Sequence, residues 1–130
     1  MLFCDLDAFK PVNDTLGHAF GDQVLAVVAR RLESQVRAGD TTARFGGDEF
    51  VIVTDDLSDD EMADLVERLQ AAVAAPIDIA GTPVELAVTV GRVRVTGAPG
   101  ETPDGLIAAA DADMYLRKPG TRHADESRRT

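Results

Sequence analysis

Hydrophobic and polar positions follow two different periods along the chain, and the period predicts the type of each element. Short apolar or alternating runs predict β-strands over residues 1–6, 41–45, 50–54, 77–80 and 84–95. Apolar residues spaced three to four apart predict two long helices, one over residues 22–37 and one from 58 until Pro76. Their apolar stripes are Val24, Leu25, Val28, Leu32 and Val36 in the first and Met62, Leu65, Val66, Leu69 and Val73 in the second.

Polar residues indicate where the helices begin. Asp22 is typical of an N-cap for the first long helix, and Ser58 with Glu61 forms the S-x-x-E pattern of a capping box for the second. Residues 8–21 predict a short helical turn followed by a polar loop. Thr102-Pro103 predicts the start of a last helix that extends to residue 118.

The order of the elements predicts the fold class. A strand, a helix, a hairpin, a helix, a second hairpin and a helix follow one another. This order is satisfied by an α+β domain of the ferredoxin or palm type, with helices packed on one face of a mainly antiparallel sheet. In such a sheet the end of the first strand and the tip of the central hairpin can lie side by side. We expect one domain over residues 1–122 and a flexible, charged tail over 123–130.

Length, charge and cysteine content limit the classes of function. The 130 residues suffice for one domain with its own core. A formal net charge of -10 argues against a nucleic-acid-binding surface, although metal ions can still bridge an acidic protein to a polyphosphate. The single cysteine, Cys4, excludes an internal disulfide, and no apolar run reaches the length of a membrane span. We therefore expect a cytoplasmic segment that contacts neither nucleic acid nor a membrane.

Two pairs of acidic residues stand at predicted strand ends. Gly46-Gly47 predicts the two-residue turn of a hairpin, and Asp48 and Glu49 follow it directly. Asp5 and Asp7 close the first strand and share one face of it, because side chains alternate along a strand. Each pair alone has a simpler explanation: a charged edge that discourages strand addition, or an exposed strand end. In the predicted sheet the pairs would together form a carboxylate cluster suited to divalent cations and phosphoryl chemistry.

Three blocks of the sequence resemble one known family. The first is Asp5-Leu6-Asp7-Ala8-Phe9-Lys10-Pro11-Val12-Asn13-Asp14, followed by Gly17-His18, Gly21-Asp22 and Leu25. The second is Gly46-Gly47-Asp48-Glu49-Phe50, and the third is Ala110-Asp111, Met114-Tyr115 and Lys118. In residue type, order and spacing these blocks resemble the GGDEF domain of diguanylate cyclases, and the similarity extends over residues 1–122.

The resemblance implies a reaction in which two GTP molecules condense to cyclic di-GMP and two pyrophosphates. Each subunit of a homodimer would present one GTP, and the 3′-hydroxyl of each would attack the α-phosphate of the other. The resemblance also implies two Mg²⁺ or Mn²⁺ ions per active site, held by Asp5, the backbone carbonyl of Leu6 and Asp48. Asp48 would also help to activate the hydroxyl, with Glu49 as a supporting carboxylate.

Further residues are implied to bind the substrate. Asn13 and Asp22 would read guanine, although either is also typical of a helix cap. Lys118 and Arg122 would meet phosphates; for both, the alternative is a positive charge that complements the dipole of the last helix. The complete set implied for substrate binding is Phe9, Lys10, Asn13, Asp22, Lys118 and Arg122.

Arg37 and Asp40 form an R-x-x-D pattern shortly before the hairpin. In the family that the chain resembles, this spacing marks a site where the product binds and inhibits. The chemistry is suitable, since a guanidinium pairs with phosphate or the Hoogsteen edge of guanine and a carboxylate accepts from guanine N–H groups. Arg68 resembles the additional arginine of such sites. The alternative explanation is a surface ion pair.

The chain departs from the family pattern at its start and near its end. It begins almost at the first predicted strand, so we expect an N-terminally truncated domain without the usual first helix. In the full-length protein a sensory or dimerisation module, which could be membrane-anchored, would precede it. Arg92, Val93, Asp113 and Arg117 also replace residue types usual in the family. Two functions therefore remain open: an active, product-inhibited diguanylate cyclase, or a weak or inactive module that binds GTP or cyclic di-GMP and regulates a partner.

Overall fold

The computed structural model describes residues 1–118, so Arg122 and the predicted tail over 123–130 lie outside the described residues. The elements, in chain order, are β1 (Leu2–Asp7), α1 (Phe9–Leu16), α2 (His18–Gln35), β2 (Thr41–Gly46), β3 (Glu49–Val53), α3 (Asp59–Ala74), β4 (Ile77–Ile79), β5 (Thr82–Val84), β6 (Ala87–Arg92) and α4 (Pro103–Arg117). Over these residues, the helices are all too short or too polar to cross a membrane.

One four-stranded sheet organises the domain, with the strand order β2-β3-β1-β6. All neighbouring strands are antiparallel, and β1 lies between β3 and β6. This connectivity confirms the predicted α+β, ferredoxin-like class. β4 and β5 form a separate two-stranded sheet.

The two faces of the sheet are covered by different helices. The apolar even-numbered residues of β1 point into the main core, where they meet the buried stripes of α2 and α3. Phe3 points to the opposite face and packs with Ala110 and Met114 of α4. The prediction that all helices share one face was therefore wrong. The order of the elements does not specify which face a helix covers after an irregular connection such as the one between β6 and α4.

Gly91 allows α4 to approach the sheet closely. A Cβ atom at this position would collide with the α4 backbone at Ala110 and Met114. Only glycine leaves enough space for such a contact between a strand and a helix backbone. The close packing fixes the position of the C-terminal half of α4 relative to β6.

Two other boundaries differ from the sequence-based expectation. Gly17, at φ 90, turns the chain within one residue, so α2 begins at His18 and the predicted polar loop does not form. Asp22 consequently lies inside α2 and is not its N-cap. The predicted strand over 84–95 is divided between β5 and β6. Buried and exposed residues alternate without interruption across this break, which is why the sequence pattern did not reveal it.

The predicted capping box of α3 and the predicted start of α4 are confirmed. Ser58 Oγ accepts a hydrogen bond from the Glu61 backbone N–H, and Glu61 Oε1 accepts one from the Ser58 backbone N–H, which completes the capping box of α3. Thr102 caps α4 by accepting from the Gly105 backbone N–H, with Pro103 in the first turn.

Candidate metal and nucleotide site

The tip of the β2–β3 hairpin lies one residue later than predicted. Gly46 pairs with Glu49, so the two turn residues are Gly47 and Asp48 instead of Gly46 and Gly47. Within the turn Gly47 adopts a positive φ, 29°. The Arg44 Nε–H donates to the Gly47 carbonyl at 2.9 Å and holds the turn closed. Asp48 is therefore part of the turn itself.

The carboxyl end of β1 lies directly beside this turn. Asp5 is opposite Glu49 in the β1–β3 register, and the Leu6 backbone N–H donates to the Asp48 carbonyl at 3.2 Å. The β1 carboxylates and the hairpin carboxylates, which lie more than 40 positions apart in the chain, thus meet at one end of the sheet. This is the arrangement that an antiparallel sheet with β1 at its centre allows.

Burial, together with the proximity of like charges, raises the pKa of both hairpin carboxyl groups. Burial and the neighbouring Asp5 carboxylate raise the pKa of Asp48. Burial likewise raises the pKa of Glu49, with further contributions from Asp5, Asp48 and Asp111. Such a cluster favours a cation nearby, because a positive charge relieves the repulsion among the carboxylates.

Lys118 supplies a positive charge at this position. Its Nζ lies 2.9 Å from Asp5 Oδ2 and 2.6 Å from Asp7 Oδ1. Burial acts to lower the pKa of Lys118, but the hydrogen bonds and charges of Asp5 and Asp7 outweigh it and raise the pKa. Thr89 Oγ1, on β6, donates to the other oxygen of Asp7 at 2.7 Å. Asp7 is therefore held from two sides.

The oxygen donors at this end of the sheet are chemically suited to a divalent cation. Hard cations prefer carboxylate and carbonyl oxygens, which Asp5, Asp48 and the Leu6 backbone provide. Over residues 1–118, however, no three His, Cys, Asp or Glu side chains are already arranged to coordinate a metal. Lys118, not a set of converging oxygens, occupies the space between Asp5 and Asp7.

Asn13, one of the two predicted guanine-reading residues, lies at the contact between α1 and α2. Gly21 is buried there, and a Cβ atom at this residue would collide with the Asn13 side chain and lie 3.2 Å from Phe9 Cζ. The Asn13 amide therefore lies against the residue that precedes Asp22, and its Nδ2 lies 3.0 Å from His18 Nδ1. Asp22 is exposed and also borders a cavity of about 190 Å³ between α2 and the hairpin.

Phe9 and Lys10 occupy different environments. Phe9, the first residue of α1, is 8% exposed and anchors that helix in the main core. Lys10 is exposed at the start of α1, three residues after Asp7. In this conformation only Lys10 of the two is open to a solvent-borne ligand.

The R-x-x-D pattern forms a compact turn between α2 and β2. The Arg37 backbone N–H donates to Asp40 Oδ2 at 2.9 Å. The Arg37 guanidinium extends toward α3, with Nη2 at 3.8 Å from Glu61 Oε2. Arg68 lies seven residues after Glu61, on the same stripe of α3 and about 10 Å further along the helix. The strand β2, whose six residues span about 17 Å at the usual strand rise, separates this turn from the hairpin tip.

Sequence reasoning missed two residues near the carboxylates. Thr89 is 4% exposed and is the buried polar residue of β6. A threonine within an otherwise apolar strand was the available signal, because a buried hydroxyl requires a partner. Asp111, on α4, adds its charge to the environment of Glu49, and no local pattern could have indicated that α4 lies on this face.

A cavity of about 440 Å³ lies at the opposite end of the sheet, bordered by Met1, Thr54 and Arg94 among others. It contains none of the residues predicted for metal or substrate. We locate the candidate site at the carboxylates, because a cation–polyphosphate site is identified by converging charges and not by volume.

The chain belongs to the GGDEF family, since the family model described as "Diguanylate cyclase, GGDEF domain" matches residues 1–124. It is 42% identical to the bifunctional diguanylate cyclase/cyclic di-GMP phosphodiesterase MucR of Pseudomonas aeruginosa over 91% of its own length and 17% of MucR. It is 39% identical to the response regulator PleD of Caulobacter vibrioides over 95% of its own length and 28% of PleD. The chain thus corresponds to a minor part of each of these relatives.

Solved structures agree with this assignment. Diguanylate cyclase SiaD of P. aeruginosa, in complex with its activator SiaC, is similar with a TM-score of 0.80 and 31% identity, over 92% of this chain and 45% of that one. The GGDEF domain of DgcB from Caulobacter crescentus, in complex with c-di-GMP, is similar with a TM-score of 0.78 and 28% identity, over 92% and 71%. The predicted family and cyclase-like fold are confirmed.

Proposed function

We propose that this chain is the catalytic domain of a diguanylate cyclase, which condenses two GTP into cyclic di-GMP and two pyrophosphates across a homodimer. The observation that carries the proposal is the meeting of Asp5 and Asp48, joined by the hydrogen bond from Leu6 to the Asp48 carbonyl. In a chain that belongs to the GGDEF family, this cluster of carboxylates is suited to metal-assisted phosphoryl transfer.

Asp5, Asp48 and the Leu6 carbonyl would hold the divalent cations, Mg²⁺ or Mn²⁺ and two per site. When bound, such ions neutralise the triphosphate and the charge that develops on the leaving pyrophosphate. As the 3′-oxygen bonds to the α-phosphorus and the bond to pyrophosphate breaks, Asp48 accepts the hydroxyl proton. Glu49 maintains the negative potential around it.

The nucleotide would lie between α1 and the hairpin. Asn13 and Asp22 read the guanine edge, the carboxylate accepting from the ring N–H and amino groups that adenine does not offer in this combination. Lys10 and Lys118 meet the phosphates, together with Arg122, and Phe9 supports the floor of the site. This proposal is supported by the packing of Asn13 against the residue before Asp22.

The direct test is incubation of the purified chain with GTP and Mg²⁺, followed by chromatographic separation of the products. We expect cyclic di-GMP from the wild type and none from Asp48→Ala. Asp64→Ala removes an exposed carboxylate in the middle of α3 and should keep full activity. GTP binding without turnover in a verified dimer would refute the catalytic role.

We also propose that Arg37 and Asp40, with Arg68, form an inhibitory site for the product. The exposed Arg37 side chain and the preformed turn support this role, and β2 separates them from the hairpin tip. If the chain proves inactive, the same turn favours the second function, a module that binds cyclic di-GMP and regulates an attached partner. If the Asp48→Ala variant still binds cyclic di-GMP, the product-binding site is distinct from the proposed catalytic site.

Regulation of this domain would come from a sensory or dimerisation module elsewhere in a longer protein. The chain spans only 17% of MucR and 28% of PleD, so most of each relative consists of other segments. The solved DgcB fragment joins a coiled coil to a GGDEF domain. Fusion of the present chain to a dimeric coiled coil should raise its activity if dimerisation limits it.

A further inference from the structure

Lys118 occupies a position that a divalent cation would also favour. Its ammonium bridges Asp5 and Asp7, at 2.9 and 2.6 Å. The side chains of Lys118, Asp5 and Asp7 are 22%, 18% and 21% exposed, so these ion pairs are more shielded from water than a surface pair. The proposed cation ligand Asp5 and the proposed phosphate ligand Lys118 are thus bound to each other.

We propose that Lys118 is an exchangeable counter-ion, which neutralises Asp5 and Asp7 in the metal-free protein, gives up Asp5 to a divalent cation, and then binds the phosphates that arrive with that cation. The inference deepens the proposed function and rests on it. Lys118 would bind first Asp5 and then the phosphates, and it would keep its ion pair with Asp7 throughout.

Two features of the structure allow the exchange. Lys118 follows the last residue of α4 in an extended conformation, at φ -62 and ψ 129, so its flexible side chain is not held on a helix face. Asp7 is also bound by Thr89 and by its place in β1, so it keeps its position when the ammonium moves. A cation on Asp5 would repel the ammonium from Asp5 while leaving Asp7 as its partner.

The exchange predicts that removing the Lys118 charge strengthens the binding of one ligand and weakens the binding of another. In Lys118→Gln, Mn²⁺ no longer has to displace the ammonium from Asp5, and the unneutralised carboxylates attract it more strongly. We expect the Mn²⁺ dissociation constant to fall by about tenfold. The same variant lacks the phosphate ligand, so guanosine 5′-(α,β-methylene)triphosphate, which cannot release pyrophosphate, should bind about tenfold more weakly in saturating Mn²⁺.

Arg117→Gln is the matched control. It removes the same charge one residue earlier, from a guanidinium that is paired with Asp113 instead of Asp5 or Asp7. If Lys118 acts only through the net charge of the region, both variants will bind Mn²⁺ equally well. We expect Arg117→Gln to bind Mn²⁺ and the analogue like the wild type. Circular dichroism of each variant verifies the fold, and Lys118→Met replaces Lys118→Gln if the latter is unfolded.

Isothermal titration with Mn²⁺ alone, and then with the analogue, gives separable outcomes. Unchanged or weaker Mn²⁺ binding by Lys118→Gln overturns the exchange but leaves the proposed metal site intact. Unchanged analogue binding overturns the second half of the proposal. If Mn²⁺ binds neither the wild type nor the Lys118 variants, or still binds Asp5→Ala like the wild type, the proposed metal site itself fails, and the exchange fails with it.

Discussion

Asp113 lies between two arginines where the last turn of α4 meets the end of β6. Its Oδ2 accepts from the Arg92 backbone N–H at 2.9 Å and from Arg117 Nε at 2.8 Å. Burial, and then the nearby Arg117, lower the pKa of Arg92, while Asp113 acts to raise it. Three of the positions at which this chain departs from the family pattern therefore form one cluster. The departures compensate one another.

Asp113→Ala should destabilise the domain by about 1–3 kcal/mol, because two guanidinium groups lose their shared carboxylate and a backbone N–H loses its acceptor. The free energy of unfolding in urea measures the effect. Asp111→Ala, an exposed position on the same helix whose charge faces Glu49, is the control and should cost little or even stabilise. Equal losses of unfolding free energy in both variants would contradict a stabilising role for the cluster of Arg92, Asp113 and Arg117.

The stability of the hairpin tip should depend on pH. The folded-state pKa of Asp48 is raised, so between its ordinary pKa of 3.8 and that raised value the folded protein binds more protons than the unfolded chain. Stability contributed by this group therefore decreases as the pH rises through that interval and stays low above it. Asp48→Asn should raise the thermal midpoint at pH 7, and the gain should disappear below pH 3.8.

Thermal denaturation followed at pH 7 and at low pH tests this prediction. A lower midpoint for Asp48→Asn at pH 7 would contradict it. Asp64→Asn, an exposed carboxylate of α3, serves as the control and should change the midpoint little at either pH. A carboxylate that weakens the fold is expected if Asp48 belongs to the proposed cation site.

At the scale of elements, Arg31 connects α2 to the C-terminal end of α3. Its guanidinium donates to the carbonyl oxygens of Ala72, Ala75 and Pro76, at 3.1, 2.6 and 2.7 Å. These are carbonyl groups at and beyond the C-terminus of a helix, where intrahelical partners end. One side chain of α2 thus caps the carbonyl groups at the end of α3 and links the two helices.

Arg31→Gln should lower the free energy of unfolding by about 2 kcal/mol, since the loss leaves several carbonyl groups without a charged donor. Arg30→Gln is the control, because the adjacent side chain is exposed and carries the same charge. Urea denaturation of the two variants measures the difference. Similar midpoints for both would mean that solvent replaces the Arg31 hydrogen bonds at no cost.

At the scale of the whole molecule, the two proposed nucleotide sites lie at opposite ends of β2. Binding at Arg37 and Asp40 would therefore have to act on the hairpin tip over a distance, for example along the strand or through the placement of subunits in the proposed homodimer. Arg37→Ala should raise the final yield of cyclic di-GMP severalfold without changing the initial rate, because the product no longer restrains the enzyme.

Time courses of cyclic di-GMP formation measure both quantities. Arg30→Ala, which removes an exposed arginine of α2, should behave like the wild type. If Arg37→Ala stops at the same product concentration as the wild type, the R-x-x-D turn is a structural feature and not an inhibitory site. A reduced initial rate would instead point to a role in the dimer.

The local parts of this protein were predictable from its sequence. The stripes of α2 and α3, the capping box of Ser58 and Glu61, and the alternation that sets Asp5 and Asp7 against Cys4 and Leu6 all follow from periods of a few residues. These features depend on backbone geometry within one element. The sequence was therefore sufficient to bring the acids to strand ends and to indicate a cation site.

Only the tertiary structure decided which distant groups meet. Lys118 lies 111 positions from Asp7, and its contact depends on α4 crossing to the face opposite α2 and α3. The start of α2 and the exact turn residues of the hairpin were likewise set by packing and by a single glycine conformation. No short-range period encodes such contacts, because they result from how complete elements pack. The sequence alone placed carboxylates at the strand ends, and the fold determined that they meet and that Lys118 lies between Asp5 and Asp7.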